Sequence, residues 1–224
     1  MAIKALPLKR GEIALTWFNK YAGVIVKSPH VTIVVDPVEV DPNIFAAVDA
    51  ILVTHEHFDH LDESIVRDVQ MNTNCIVIAN PASYDRLSAA IPSEKLFEAH
   101  VKDEFQVKDS MVYAERSSHP AVEPLTYIIT SEDGITTYHT SDSAPFSEMV
   151  DIGKKYQVDI CFCTIGIAPG ATLESGAKIA KLVQPKVAIP YHGERINDFP
   201  RVLSKLAPNI KCHIAHIGEA LKYP

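Results

Sequence analysis

Directly after the apolar run Ala50-Ile51-Leu52-Val53, the chain places Thr54-His55-Glu56-His57-Phe58-Asp59-His60, with three imidazoles and two carboxylates in its last six residues. A short apolar run bounded by polar residues reads as a buried strand. Its end is rigid enough to hold several side chains toward one point. Neutral imidazole and carboxylate are the donors that zinc, manganese and iron prefer. Whatever fold the chain adopts must therefore deliver a metal loop at the carboxyl end of a buried strand.

Along an extended turn, alternate side chains share a side and adjacent ones diverge. His55 and His57 can chelate one ion. Asp59 and His60, one turn further on, face a second position, because a six-residue loop cannot wrap all four side chains around one cation without strain. The expectation is two divalent metal ions, zinc first, with manganese or iron as alternatives that an all His/Asp set also accepts. A competing reading makes Asp59 the cap of a helix starting near Leu61. It accounts for one side chain and leaves three histidines unexplained.

The pattern H-x-H-x-D-H behind a short apolar strand resembles the fingerprint of the metallo-β-lactamase superfamily, and further residues follow in that family's order. Val31-Thr32-Ile33-Val34-Val35 ends in Asp36-Pro37. His119 follows the run Met111 to Ser118, Asp142 follows the turn at Asp133-Gly134, and His192 follows Val187-Ala188-Ile189-Pro190-Tyr191. The resemblance runs from about Gly11 to the C-terminus. It implies a four-layer αββα sandwich, where pattern alone gives only α/β. It also implies His55, His57 and His119 on one metal, Asp59, His60 and His192 on the other, and Asp142 bridging. Asp36 would stand behind a metal-binding histidine, fixing its tautomer and raising its basicity.

Strands are expected at Ile13 to Trp17, Val24 to Lys27, Val31 to Val35, Cys75 to Ala79, Val158 to Cys163 and Val187 to Pro190. Helices are expected from Pro81 to about Ala90, from Pro145 to Tyr156, from Thr172 to Val183 and from Asp198 to Leu206. No Pro/Ser/Gly-rich linker, charge block or repeat divides the chain, so residues 1–224 read as a single domain. With 224 residues and 47% hydrophobic content it can bury a sizeable core. No segment reaches the roughly 18 apolar residues that span a bilayer, and Met1 to Arg10 lacks a secretory pattern. A cytoplasmic location and no membrane partner are expected.

Cys75, Cys161, Cys163 and Cys212 form no C-x-x-C pair and read as reduced thiols, with Cys161 and Cys163 on one strand face in the core. The net charge of −7 argues against nucleic acid as a partner. No G-x-G occurs, which removes dinucleotide and P-loop motifs. The zincin motif H-E-x-x-H fails because Asp59 stands where its second histidine belongs. His139 falls on the opposite strand face from Asp142 and reads as structural.

These readings make the chain a hydrolase in which a hydroxide bridging two metals attacks a small substrate. Asp59 is expected to orient the hydroxide and return a proton to the leaving group. The order Trp17-Phe18, Ala22-Gly23, Thr164-Ile165-Gly166 and Ile189-Pro190-Tyr191-His192 looks most like the compact branch that contains ascorbate-6-phosphate lactonase. The chain departs from that branch at Asn19-Lys20-Tyr21. The bond cleaved stays open among lactone, ester and phosphoester. For an anionic substrate Lys20 and Arg195 are the candidate contacts, and Tyr191 is a candidate donor to a developing oxyanion. A non-catalytic metal-dependent sensor, the phosphodiesterase or nuclease branch, and diiron redox chemistry remain as alternatives, and a homo-oligomer is compatible with the sequence.

Overall fold

Strands that are apolar on both faces need cover on both. In the computed structural model, which describes residues 6–45 and 47–224, two sheets supply it by facing each other with helices outside. The N-terminal reading at Met1 to Ala5 lies outside the described residues. In chain order the elements are β1 (Ile13–Trp17), β2 (Val24–Lys27), β3 (Thr32–Val35), β4 (Ala50–Val53), α1 (Glu63–Thr73), β5 (Ile76–Ala79), α2 (Pro81–Leu87) and β6 (Leu96–Glu98). There follow β7 (Glu104–Val107), β8 (Ser110–Arg116), β9 (Leu125–Thr130), β10 (Thr136–His139), α3 (Met149–Tyr156), β11 (Ile160–Thr164), α4 (Leu173–Val183), β12 (Val187–Tyr191), α5 (Phe199–Leu206), β13 (Lys211–Cys212) and β14 (Leu221–Tyr223).

The described residues form two mixed seven-stranded sheets, ordered β14-β1-β2-β3-β4-β5-β6 and β13-β12-β11-β10-β9-β8-β7. Alternation along β4 shows how the layers arise. Ala50 and Leu52 join a core that includes Val112, Ala114, Leu125 and Tyr127 of the second sheet. Ile51 and Val53 join an outer cluster with Val66 and Val69 of α1 and Leu87 of α2. On the other side α4 packs on β11, with α3 and α5 beside it. The expected αββα sandwich of the metallo-β-lactamase type is the observed fold.

Element ends differ from expectation for local reasons. The second helix stops at Leu87 instead of reaching Ala90, where the chain tightens so that the Ala90 N–H bonds to the Leu87 carbonyl three residues back at 2.9 Å. The third starts at Met149 instead of Pro145, and Phe146 is left outside it to pack under the Arg116 guanidinium. Thr172 is the cap of α4 and forms a reciprocal capping box with Ser175.

Strands β3, β4 and β5 run parallel, as do β10, β11 and β12, so each set sends its loops to a single sheet end. Three residues there, Asp36, Ser141 and His192, hold positive φ of 47°, 48° and 54°. Non-glycine residues in this region carry backbone strain that surrounding structure must outweigh.

Candidate metal centre

The loop after β4 curls back at once, with the His57 carbonyl accepting the N–H groups of His60 at 2.9 Å and Leu61 at 2.8 Å. The helix then begins two residues later than Leu61, and Asp62 caps it by accepting from the Ser64 and Ile65 N–H groups at 3.0 and 3.1 Å. Asp62, not Asp59, is thus the cap, and the competing reading of Asp59 does not hold. The Asp59 carboxylate instead has Oδ2 3.8 Å from Nε2 of both His60 and His192.

Two ligand-bearing nests result: His55, His57 and His119 in one, and Asp59, His60, Asp142 and His192 in the other. In the first, His57 Nδ1 and His119 Nε2 are 3.0 Å apart, and the His55 ring packs against both at 4.6 and 4.7 Å between centroids. Asp142 sits between the nests. Its Oδ1 lies 3.1 Å from His60 Nε2 and 2.9 Å from His192 Nε2, while its Oδ2 lies 3.7 Å from His119 Nε2 and 4.0 Å from His55 Nε2.

These facing atoms are close without being satisfied. Nε2 of His55, His60 and His192 and Oδ1 of Asp142 are buried with no aligned hydrogen-bond partner. Each such atom costs about 1–3 kcal/mol if left so. Several lone pairs converging on a shared space fit a cation in each nest.

The opposite ring nitrogens explain why those lone pairs point inward. Buried Asp36 accepts from the Thr54 N–H at 2.9 Å, from the Thr54 hydroxyl at 2.7 Å and from His60 Nδ1 at 2.7 Å. Having given its proton to Asp36, Thr54 Oγ1 accepts from His55 Nδ1 at 3.1 Å and from the Ser141 hydroxyl at 2.9 Å. One carboxylate thereby sets the tautomer of His60 directly and that of His55 through a hydroxyl.

Electrostatics separate the histidines. Burial lowers the pKa of His55 and of His119, keeping both neutral. Burial also opposes the charged form of His60, but the Asp36 and Asp142 carboxylates outweigh it and push the imidazole up to about 10. For Asp142 burial acts upward, yet the close His192 and His60 imidazoles hold the carboxyl well below the usual range.

The sequence reading missed Glu56, which it used only to dismiss a zincin helix. Its carboxylate accepts from the Val122 N–H at 3.0 Å and from Asn80 Nδ2 at 3.3 Å, fastening the loop that carries His119 to the loop that carries His55 and His57. Thr54 and Ser141 were also missed.

The substrate candidates stand differently. Lys20 pairs with Glu39 at 2.8 Å, and Arg195 pairs with Asp198 at 2.7 Å. Tyr191 is fully buried and donates its hydroxyl to the Ser141 carbonyl at 3.2 Å, which braces the turn before Asp142 and leaves that hydroxyl committed. His139 is buried outside both nests, with Nε2–H donating across the sandwich to the Ala22 carbonyl at 2.8 Å. Cys161 and Cys163 are buried core residues with sulfurs 3.7 Å apart. Among the described residues no helix is long and apolar enough to cross a membrane.

Known proteins share this arrangement of sequence and fold. A family described as the beta-lactamase superfamily domain matches residues 26–192. A UPF0173 metal-dependent hydrolase from Staphylococcus carnosus (strain TM300) is 30% identical over 189 residues, which cover 79% of this chain and 82% of the relative. Igni18, a novel metallo hydrolase from the hyperthermophilic archaeon Ignicoccus hospitalis KIN4/I, has a TM-score of 0.82 at 21% identity, covering 95% of this chain and 99% of that one. The metallo-beta-lactamase fold protein YhfI from Bacillus subtilis has a TM-score of 0.77 at 14% identity, again over 95% and 99%. At those identities the two structures speak to the fold alone. The family match and the S. carnosus relative carry the lineage, and on them the chain belongs to the metallo-β-lactamase superfamily.

Proposed function

We propose that this chain is a metal-dependent hydrolase that holds two divalent cations, zinc first with manganese or iron as alternatives, and cleaves a lactone, ester or phosphoester bond in a small substrate. One observation carries the reading: Asp142 sits between the two nests, with one oxygen near His60 and His192 and the other nearer His55 and His119, where a single carboxylate would serve a cation in either nest. The S. carnosus relative, a metal-dependent hydrolase by name, supports it. When bound, such a pair lowers the pKa of a coordinated water and polarises the attacked oxygen of the substrate.

The residues divide that work. His55, His57 and His119 hold one position, Asp59, His60 and His192 the other, and Asp36 keeps His60 Nδ1 protonated so that Nε2 faces inward. Asp59, on the rim of its nest, takes a proton at its carboxylate and returns it to the leaving group. Because the nests draw on loops from both sheets, residues 1–224 act as one domain in this reading. The test is metal content of the purified protein together with turnover of a lactone, a carboxylic ester, a phosphomonoester and a phosphodiester. About two metals per chain and turnover of one class are expected. A protein that takes up no metal after reconstitution would overturn the proposal.

A further inference from the structure

Seven large hydrophobic side chains are exposed among the described residues, and three of them, Phe58, Val122 and Ile167, lie in or against the loops that carry nest residues. Phe58, 78% exposed, lies inside the metal loop itself. Val122, 59% exposed, lies in the loop fastened by Glu56. Ile167, 46% exposed, donates its backbone N–H to the His192 carbonyl at 2.9 Å, and Ile217, 51% exposed, shares a cavity with it. Apolar side chains gathered around a polar centre mark a binding surface more often than chance exposure.

The cavity beside His192 measures about 420 Å³ and is walled by Trp17, Ile167, Ile196 and Ile217, with Lys20, Glu194 and His216 as its polar members. Two glycines bring its loops together. A Cβ on Gly166 would fall 2.7 Å from the Gly193 Cα, so the turns after β11 and β12 touch backbone to backbone. Tyr21 continues the wall toward the nests. It accepts the Trp17 indole N–H at its carbonyl at 2.6 Å and meets the His192 and Phe58 rings edge-on at 6.2 Å each. The lysine there is already committed: Lys20 is paired with Glu39 and lies 4.8 Å over the Tyr21 ring, and Glu194 adds a carboxylate that disfavours an anionic group. A concave, mostly apolar space with few polar groups is what small-molecule sites share.

We propose that this cavity binds the neutral, apolar portion of the substrate, an unbranched alkyl or single-ring aryl group held beside the bond that the nests address. The proposal rests on the hydrolase reading for its place in a reaction, but not for its test. A second copy of the chain would need a broad face, whereas this surface is a pocket.

Trp17 is the sole tryptophan of the chain and lines the cavity, so its emission reports an occupant directly. The protein, both metal-free and after incubation with zinc, is titrated with 1-butanol, 1-pentanol, 1-hexanol and 1-octanol, and in parallel with the matching alkyl phosphates. Alcohol affinity should rise about fourfold per added methylene, with the phosphates following the same chain-length series. Ile167→Asp and Ile217→Asp, on two walls, should each weaken hexanol binding more than tenfold, whereas Met71→Asp on α1 should leave it unchanged. Far-UV circular dichroism checks that each variant is folded. A flat chain-length series, an undiminished response in both cavity variants, or phosphates bound tightly whatever their chain would overturn the proposal. So would a dimer in sedimentation that Ile167→Asp dissociates, since the occupant would then be a second copy. Failure of the hydrolase reading is separate, because it appears as absent metal or absent turnover while alcohol binding persists.

Discussion

His60 Nδ1 lies 2.7 Å from Asp36 Oδ2, and both side chains are wholly buried. With Asp142 on the other side of the ring, these carboxylates raise the imidazole to about 10 against the opposing effect of burial. In metal-free protein the ring thus carries a proton that a cation must displace, since only neutral imidazole ligates. Metal uptake at pH 8 should release about one proton from this residue, and affinity should rise about tenfold per pH unit below 10. Calorimetry in two buffers of different ionisation enthalpy reads the proton count. Equal heats in both would contradict it. The sign for folding follows from the same shift. A raised folded-state pKa contributes stability that is full below about 6.5 and is lost as pH climbs through about 10. Metal-free protein should therefore melt at lower temperature at pH 10 than at pH 7, and metal-loaded protein should lose less.

Asp36→Asn isolates the tautomer effect. Asparagine tolerates the positive φ of 47° at this position and retains an oxygen for the Thr54 N–H. Its amide, however, offers a donor where His60 Nδ1 needs an acceptor. Metal affinity should fall by about 10–100-fold, the usual size of such losses, with the fold intact by circular dichroism. Competition with a chromophoric chelator measures it, and an unchanged dissociation constant would count against Asp36 as the orienting group.

Glu56 makes a different prediction because it touches no proposed ligand. Its bonds to the Val122 N–H and Asn80 position the loop that carries His119. Glu56→Ala should weaken metal retention about tenfold, in line with the roughly 1.5–3 kcal/mol of a hydrogen bond to a charged group. Glu56→Gln keeps one acceptor for Val122 and should recover most of the loss. Metal release rates for the two variants decide between a positioning role and a merely local one, since a local role would leave both rates at the wild-type value.

What was legible in the chain follows from how local each signal is. His55, His57, Asp59 and His60 sit within one loop, so their chemistry and spacing can be read directly. His119, Asp142 and His192 are single residues at strand ends and became readable only as an ordered set. Glu56 and Ser141 work through partners 66 and 87 positions away, Val122 and Thr54, and nothing in their own neighbourhoods announces it. Asp59 and Asp62 are both capping residue types, and the turn closed on the His57 carbonyl puts Asp62 at the first turn of the helix, in keeping with the choice of Asp59 as a ligand. Lys20 reads as an available cation because Glu39, 19 positions on, is brought to it by the fold, whereas the partner of Arg195, Asp198, stands three residues away and was open to a local reading. The apolar runs fared best, since a strand buried on both faces writes that burial into consecutive residues.

Asp59 offers the sharpest test of the proposed chemistry. Its Oδ2 is equidistant from His60 and His192 at 3.8 Å, and it is the nest's carboxylate other than the central Asp142. Asp59→Asn retains an oxygen donor for a cation but cannot accept and return a proton. If Asp59 moves the proton, kcat should drop by about 10²–10⁴-fold while metal content stays near two per chain, and the acidic limb of the pH profile should flatten. If Asp59 only holds a cation, metal content and kcat should fall together, and excess metal should restore both. Full turnover with both metals in Asp59→Ala would leave the carboxylate no part in the reaction.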